Sequence, residues 1–137
     1  MAANTRLASA IQILCVVAYH GDAGTTANVV AKSLKTNPVV VRRMLKCLEQ
    51  HGLVEIRQGK DGGVKLLRDA QDITLDQIHH AIEPDPDTFS LRPLTNNRCP
   101  VGSKMKSLLA PVFGAVSVAV DDALRQSTLA GIMGALG

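Results

Sequence analysis

Along the start of the chain, apolar positions recur at helical steps. Leu7, Ala10, Ile11, Leu14, Cys15 and Ala18 fall three and four residues apart, which predicts an amphipathic helix ending near His20-Gly21. A Gly-Asp-Ala-Gly loop follows, and Thr25 or Thr26 can cap a second helix that turns Val30, Ala31 and Leu34 inward. After Lys35-Thr36-Asn37 comes Pro38. Asn37 as the capping residue and Pro38 at the first helical position make a strong start signal, because Asn accepts from a free N–H and Pro has none to satisfy. The third helix carries Val41, Met44, Leu45 and Leu48 on its inner face and stops at Gly52. Two helices joined by about one turn over residues 26–52 have the layout of a helix-turn-helix.

The period then changes from helical to alternating. Leu53-Val54-Glu55-Ile56-Arg57 is a short strand rich in β-branched residues, and Val64-Lys65-Leu66-Leu67 alternates as its return. Between them, Gln58-Gly59-Lys60-Asp61-Gly62-Gly63 places three glycines in six residues and is a turn. A helix-turn-helix followed by a hairpin with a basic, glycine-rich tip is a winged helix, a mainly α fold of the α+β class. Thr74 can cap a fourth helix with Leu75, Ile78 and Ile82 inward, and Pro84-Asp85-Pro86-Asp87 ends it. Irregular chain runs on to Asn97.

The remainder predicts one long helix. Met105, Leu108, Leu109, Val112, Phe113, Val116, Val120 and Leu124 form its stripe, and Pro100, after Cys99, is expected at its first position. Pro111 falls inside the span and is expected to kink or break it. A chain of 137 residues has little core left for so wide an apolar face. A second copy in a twofold dimer is the economical cover, with packing back onto its own domain as the alternative. Thr128 opens a short terminal helix. The expected units are a winged helix-turn-helix over 1–83, a linker over 84–98, and the dimerisation helix with the terminal helix over 99–137.

Composition narrows what such a fold can do. Hydrophobic residues make up 46% of the chain and charged residues 20%, which excludes disorder throughout. Tyr19, Phe89 and Phe113 are the only aromatics, too few to bind single strands by stacking bases. The longest nearly uncharged stretch, Ser107 to Val120, falls short of the ~20 residues a bilayer needs. No signal peptide is evident, so a cytoplasmic protein without membrane contact is expected. Cys15, Cys47 and Cys99 are too scattered for a disulfide scaffold or a C-x-x-C metal site, and free thiols are the expectation. Charge is uneven: residues 1–68 carry ten Lys and Arg against four Asp and Glu, and residues 69–137 carry five against eight. The first half therefore suits a polyanion, although charge alone also describes a solvated basic surface.

Several segments, taken in order, resemble one family. The run Leu7-Ala-Ser-Ala-Ile-Gln-Ile-Leu is followed by Asn37-Pro-Val-Val-Val-Arg-Arg-Met-Leu-Lys-Cys-Leu, Gly52-Leu-Val, Gly62-Gly63 and Ile73-Thr-Leu-Asp-Gln-Ile. Their order and spacing over residues 5–83 resemble the Rrf-two (BadM-type) family of bacterial winged-helix transcription regulators. Cys99-Pro-Val-Gly, the long helix and the Thr128-Leu-Ala ending are similar to members that lack metal. The resemblance implies a homodimeric repressor or regulator that binds palindromic operators in double-stranded DNA. Cluster-holding members carry three closely spaced cysteines before the long helix. Residues 84–103 hold Cys99 alone, so no iron–sulfur cluster or other cofactor is expected.

In such a fold the helix opening at Pro38 enters the major groove, N-terminal residues first. Val39, Arg42, Arg43 and Lys46 lie opposite its apolar face. Arg42 is the candidate for a base edge, since a guanidinium takes guanine O6 and N7 together, while Arg43 and Lys46 suit phosphates. Arg57, Gln58 and Lys60 form a basic wing that can enter the minor groove or follow phosphates. Asn37 and Arg6, each near a helix start, are further phosphate candidates. A solvated helix face is the plain alternative.

Cys99, beside Arg98 at the expected start of the long helix, faces the positive end of the helix dipole and is the candidate redox-sensing thiol; an inert cysteine is the alternative. Cys15 and Cys47 are expected in or beside the core. His79 and His80, adjacent on a helix, are expected to point apart and bind no ion, and His20 and His51 close helices. No metal site is expected. An enzyme would need Cys99 paired with His79 or His80, and nothing in the sequence positions such a pair. A winged helix used for protein contact without DNA is the rival reading, and a regulator answering a cluster or small ligand is another.

Overall fold

The computed structural model describes residues 4–60 and 62–136; Asp61 of the predicted turn lies outside the described residues. Its helices are α1 (Arg6–His20), α2 (Ala27–Leu34), α3 (Pro38–Gln50), α4 (Leu75–Ile82), α5 (Gly102–Arg125) and α6 (Leu129–Gly134). Strands β1 (Val54–Arg57) and β2 (Gly63–Leu66) pair antiparallel, with Val54 opposite Leu66 and Arg57 opposite Gly63. Among the described residues this is a mainly α chain with one hairpin, a winged helix followed by a long helix.

α1 is the axle of the core. Ala10, Ile13, Leu14 and Val17 are its buried residues, while Ile11, Cys15 and Ala18 of the predicted stripe are half-buried. The buried line is rotated because α2, α4, α6 and β2 pack around α1 from several directions. α2 and α3 start where capping chemistry allows. Thr26, rather than Thr25, accepts from the Val29 N–H at 3.3 Å, and the Asn37 side chain accepts from the Val39 N–H at 2.8 Å. Thr25 is instead a lone bridge to β2, exchanging backbone hydrogen bonds with Val64 at 3.2 and 2.8 Å. A side chain at Gly63 would press on the Thr25 carbonyl, and one at Gly62 on the Arg57 carbonyl, so both positions need glycine for close backbone approach. Val41, Leu45 and Leu48 of α3 are buried and Met44 is half-buried. α4 opens with a capping box made by Thr74 and Gln77 and buries Leu75, Ile78, Ala81 and Ile82.

The end of the chain returns to this core. Leu129 is fully buried, its N–H donates to the Ile73 carbonyl at 2.8 Å, and the Leu75 N–H donates to the Ser127 carbonyl at 3.0 Å. In packing terms α6 belongs with the winged helix, although the sequence groups it with the long helix. Burying a leucine there contributes about 1.5–3 kcal/mol toward docking this short helix.

α5 departs from expectation in two ways. It begins at Gly102, two residues beyond Pro100, after a turn in which the Cys99 carbonyl accepts from the Ser103 N–H at 3.0 Å and the Cys99 sulfur from the Gly102 N–H at 3.3 Å. It also runs unbroken through Pro111. A proline removes one N–H donor, and the exposed position of Pro111 and Ser107 leaves the orphaned Ser107 carbonyl to water. By length and composition alone α5 could cross a membrane, whereas the uncharged run predicts no span. The difference lies in its charged ends, and these bond to protein: Asp121 to His80 at 2.9 Å and Arg125 to Asp76 at 3.4 Å.

Candidate nucleic-acid interface

α3 turns its apolar side to the core, so its opposite side is free. Val39, Arg42, Arg43 and Lys46 are all exposed, and among the described residues none of the three basic groups makes an ion pair. The hairpin stands beside this face. Between them lies a groove of about 680 Å³ lined on one side by Arg42, Lys46 and Glu49 and on the other by Arg57, Gln58 and Gly59. Arg43, Lys60 and Asn37 are exposed but do not line the groove, and Pro38 and Asn37 form the helix start itself.

Arg6 is elsewhere. Its guanidinium donates to the Ile82 carbonyl at 2.7 Å and pairs with Glu83 at 3.6 Å, tying the start of α1 to the end of α4. Arg57 is held on the strand by Glu55 at 3.1 Å. Glu49 accepts from the Ile56 N–H at 3.2 Å, which fixes the hairpin against α3 and places one carboxylate in a basic groove. That anchor, the α2 cap Thr26 and the α2 residue Asn28, which line the same groove, escape sequence reasoning as site residues. The available signal is their place at the start of the leading helix of a helix-turn-helix, since that helix crosses the backbone of bound DNA.

The three thiols differ. At Cys99, hydrogen bonds from the Gly102 and then the Val101 N–H hold the thiol below its ordinary pKa. At Cys15, burial pushes the thiol up. On α5 the predicted stripe divides. Leu124 packs against the core and Phe113 lies 5.6 Å from Phe89 between ring centroids, whereas Leu108 and Val112 are 60% and 54% exposed. Met105, Leu109, Val116 and Val120 are half-buried. The outward line continues through Ala115 and Ala119, which the stripe omits. Spacings of four, three and four along Leu108, Val112, Ala115 and Ala119 are those of a helix-pairing seam.

A family model described as "Iron-dependent Transcriptional regulator", Rrf2, matches residues 3–135. The chain belongs to the Rrf2 family. Its relatives in this family include YwnA of Bacillus subtilis (strain 168), assigned as an HTH-type transcriptional regulator, which is 35% identical over 95% of this chain and 96% of its own. A crystal structure of a protein assigned to DNA binding superposes with a TM-score of 0.74 at 32% identity, covering 93% of this chain and 98% of that one. An assigned transcriptional regulator from Lactobacillus plantarum shares the fold, with a TM-score of 0.80 at 22% identity over 96% of this chain and 89% of that one. This Rrf2 chain is therefore a transcriptional regulator with a DNA-binding winged helix, and not an enzyme.

Iron in this family raises the question of a cluster. The thiols sit on α1, on α3 and ahead of α5, and the one ligand group formed among the described residues contains no cysteine. The residues present do not fit an iron–sulfur cluster held by three thiolates.

Proposed function

We propose that two copies pair through the outward face of α5 and act, in the cytoplasm and without an iron–sulfur cluster, as a repressor on a palindromic operator. α3 lies in the major groove with Arg42 on a guanine edge, and Arg43, Lys46 and Asn37 hold phosphates. Arg57, Gln58 and Lys60 follow the adjacent minor groove. The observation that carries this reading is the groove in which unpaired Arg42 and Lys46 face the basic wing, on the half of the chain that holds the excess of positive charge. Arg6, spent on Glu83, has no part in it.

The test is DNA selection from a random pool, followed by anisotropy titration on the selected and on scrambled duplexes. Arg42→Ala is expected to cost about 1–3 kcal/mol and to relax preference at one base position, whereas Lys60→Ala weakens all duplexes alike and lowers the salt dependence. Equal loss on both duplexes for Arg42→Ala removes it from base reading. A protein-contact module without DNA elutes early from heparin, and that result ends the proposal.

The state of Cys99 supplies the signal in this reading. Its sulfur caps the first turn of α5, so oxidation of the thiol to a sulfenic acid by a peroxide, which is itself reduced to water or an alcohol, changes the start of the pairing helix. Operator binding that is lost on oxidation in the parent and retained in Cys99→Ser supports the switch; loss in both removes it.

A further inference from the structure

α4 and α5 meet at a group of side chains that the DNA-binding reading does not use. His79 and His80 on α4 and Asp121 on α5 each offer one ligand atom, and these atoms lie within 4.8 Å of one another. This overturns the expectation that the two histidines point apart. Adjacent helical positions diverge at Cβ, but the rings swing back toward α5 and stand edge to face, with centroids 5.8 Å apart. His80 Nε2 is 2.9 Å from Asp121 Oδ1. His79 Nδ1 is buried and has no hydrogen-bond partner among the described residues.

A plain ion pair explains His80 and Asp121 but leaves His79 with a desolvated nitrogen and nothing to bond. Two imidazoles and a carboxylate make one set as ligands of a borderline divalent ion. At bond lengths of about 2.0–2.2 Å the donors of a tetrahedral ion lie roughly 3.4 Å apart, which small rotations of exposed His80 and half-buried Asp121 supply. Arg125, one turn beyond Asp121, does not compete, because Asp76 at 3.4 Å and Asp122 at 2.9 Å already hold it.

We propose that His79, His80 and Asp121 form a binding site for a divalent transition metal of the zinc class, with the remaining position open to water. The ion joins α4, the last helix of the winged helix, to α5. Binding at this site does not depend on whether the protein reads DNA, so its test reads metal alone.

The full chain is titrated with zinc(II) by calorimetry and with cobalt(II) by visible absorption. One zinc per chain is expected, with a cobalt spectrum that shows d–d bands and no thiolate charge-transfer band. His80→Ala and Asp121→Asn, each checked for native circular dichroism, are expected to weaken zinc binding by about tenfold or more. Cys99→Ser is expected to leave it unchanged. Absence of binding in the parent overturns the site, as do undiminished binding in both ligand variants, a thiolate band in the cobalt spectrum, or loss of binding in Cys99→Ser. Should either variant unfold, the cobalt spectrum of the parent still decides between imidazole–carboxylate and thiolate ligands.

Discussion

α3 and α5 are both amphipathic, yet they are finished in opposite ways. α3 is 13 residues long, buries Val41, Leu45 and Leu48 completely, and presents arginine and lysine on its free face. α5 is 24 residues long, buries none of its residues within the chain, and presents leucine, valine and alanine on its free face. The first surface is complete as it stands, because water solvates cations well until a polyanion replaces it. The second is not, because a contiguous exposed apolar line on a helix is the mark of a surface that takes a partner. One face therefore suits a charged partner, and in the dimer proposed above the other takes an apolar one.

The contrast can be broken most forcefully from the core side of α3. Leu45→Ala is expected to lower unfolding free energy by about 2–5 kcal/mol in urea titration, since Leu45 is 2% exposed and has no water to fall back on. A loss below about 1 kcal/mol would mean that α3 does not anchor the domain. Val112→Asp places a charge on the outward face of α5, at a position that is 54% exposed. It is expected to turn a dimer into a monomer in sedimentation and to weaken operator binding by about 100-fold or more, as two half-sites cease to be held together. A dimeric Val112→Asp protein moves the interface elsewhere.

Smaller effects sharpen the same comparison at the two helix starts. Asn37→Ala removes the cap of α3 and is expected to cost about 1 kcal/mol in stability. At the start of α5 the cap is a sulfur, so the readout is reactivity. A lowered pKa puts more of Cys99 in the thiolate form near neutral pH, and a raised one puts less of Cys15 there. Alkylation mapped by mass spectrometry is expected to modify Cys99 well before Cys15. The reverse order would show that the Gly102 and Val101 N–H groups do not stabilise the thiolate.

Local chemistry determined much of this molecule from the sequence by itself. Asn37-Pro38 starts α3, Thr74 with Gln77 starts α4, and Thr128 starts α6, because a cap is satisfied by residues within one turn of it. The hairpin is equally local, and so is the basic face of α3, once helical period assigns its opposite face to the core. Tertiary structure decided the rest. Which line of α1 is buried depends on how many neighbours surround it, and a single helix does not state that. The survival of α5 through Pro111 depends on solvent access to one carbonyl. Arg6 and Arg42 are alike in sequence, but Glu83, 77 positions away, takes the charge of the first and nothing among the described residues takes that of the second. The meeting of His79, His80 and Asp121 is of the same kind. Ligands on two helices converge only when the helices pack, and no spacing along the chain records that event.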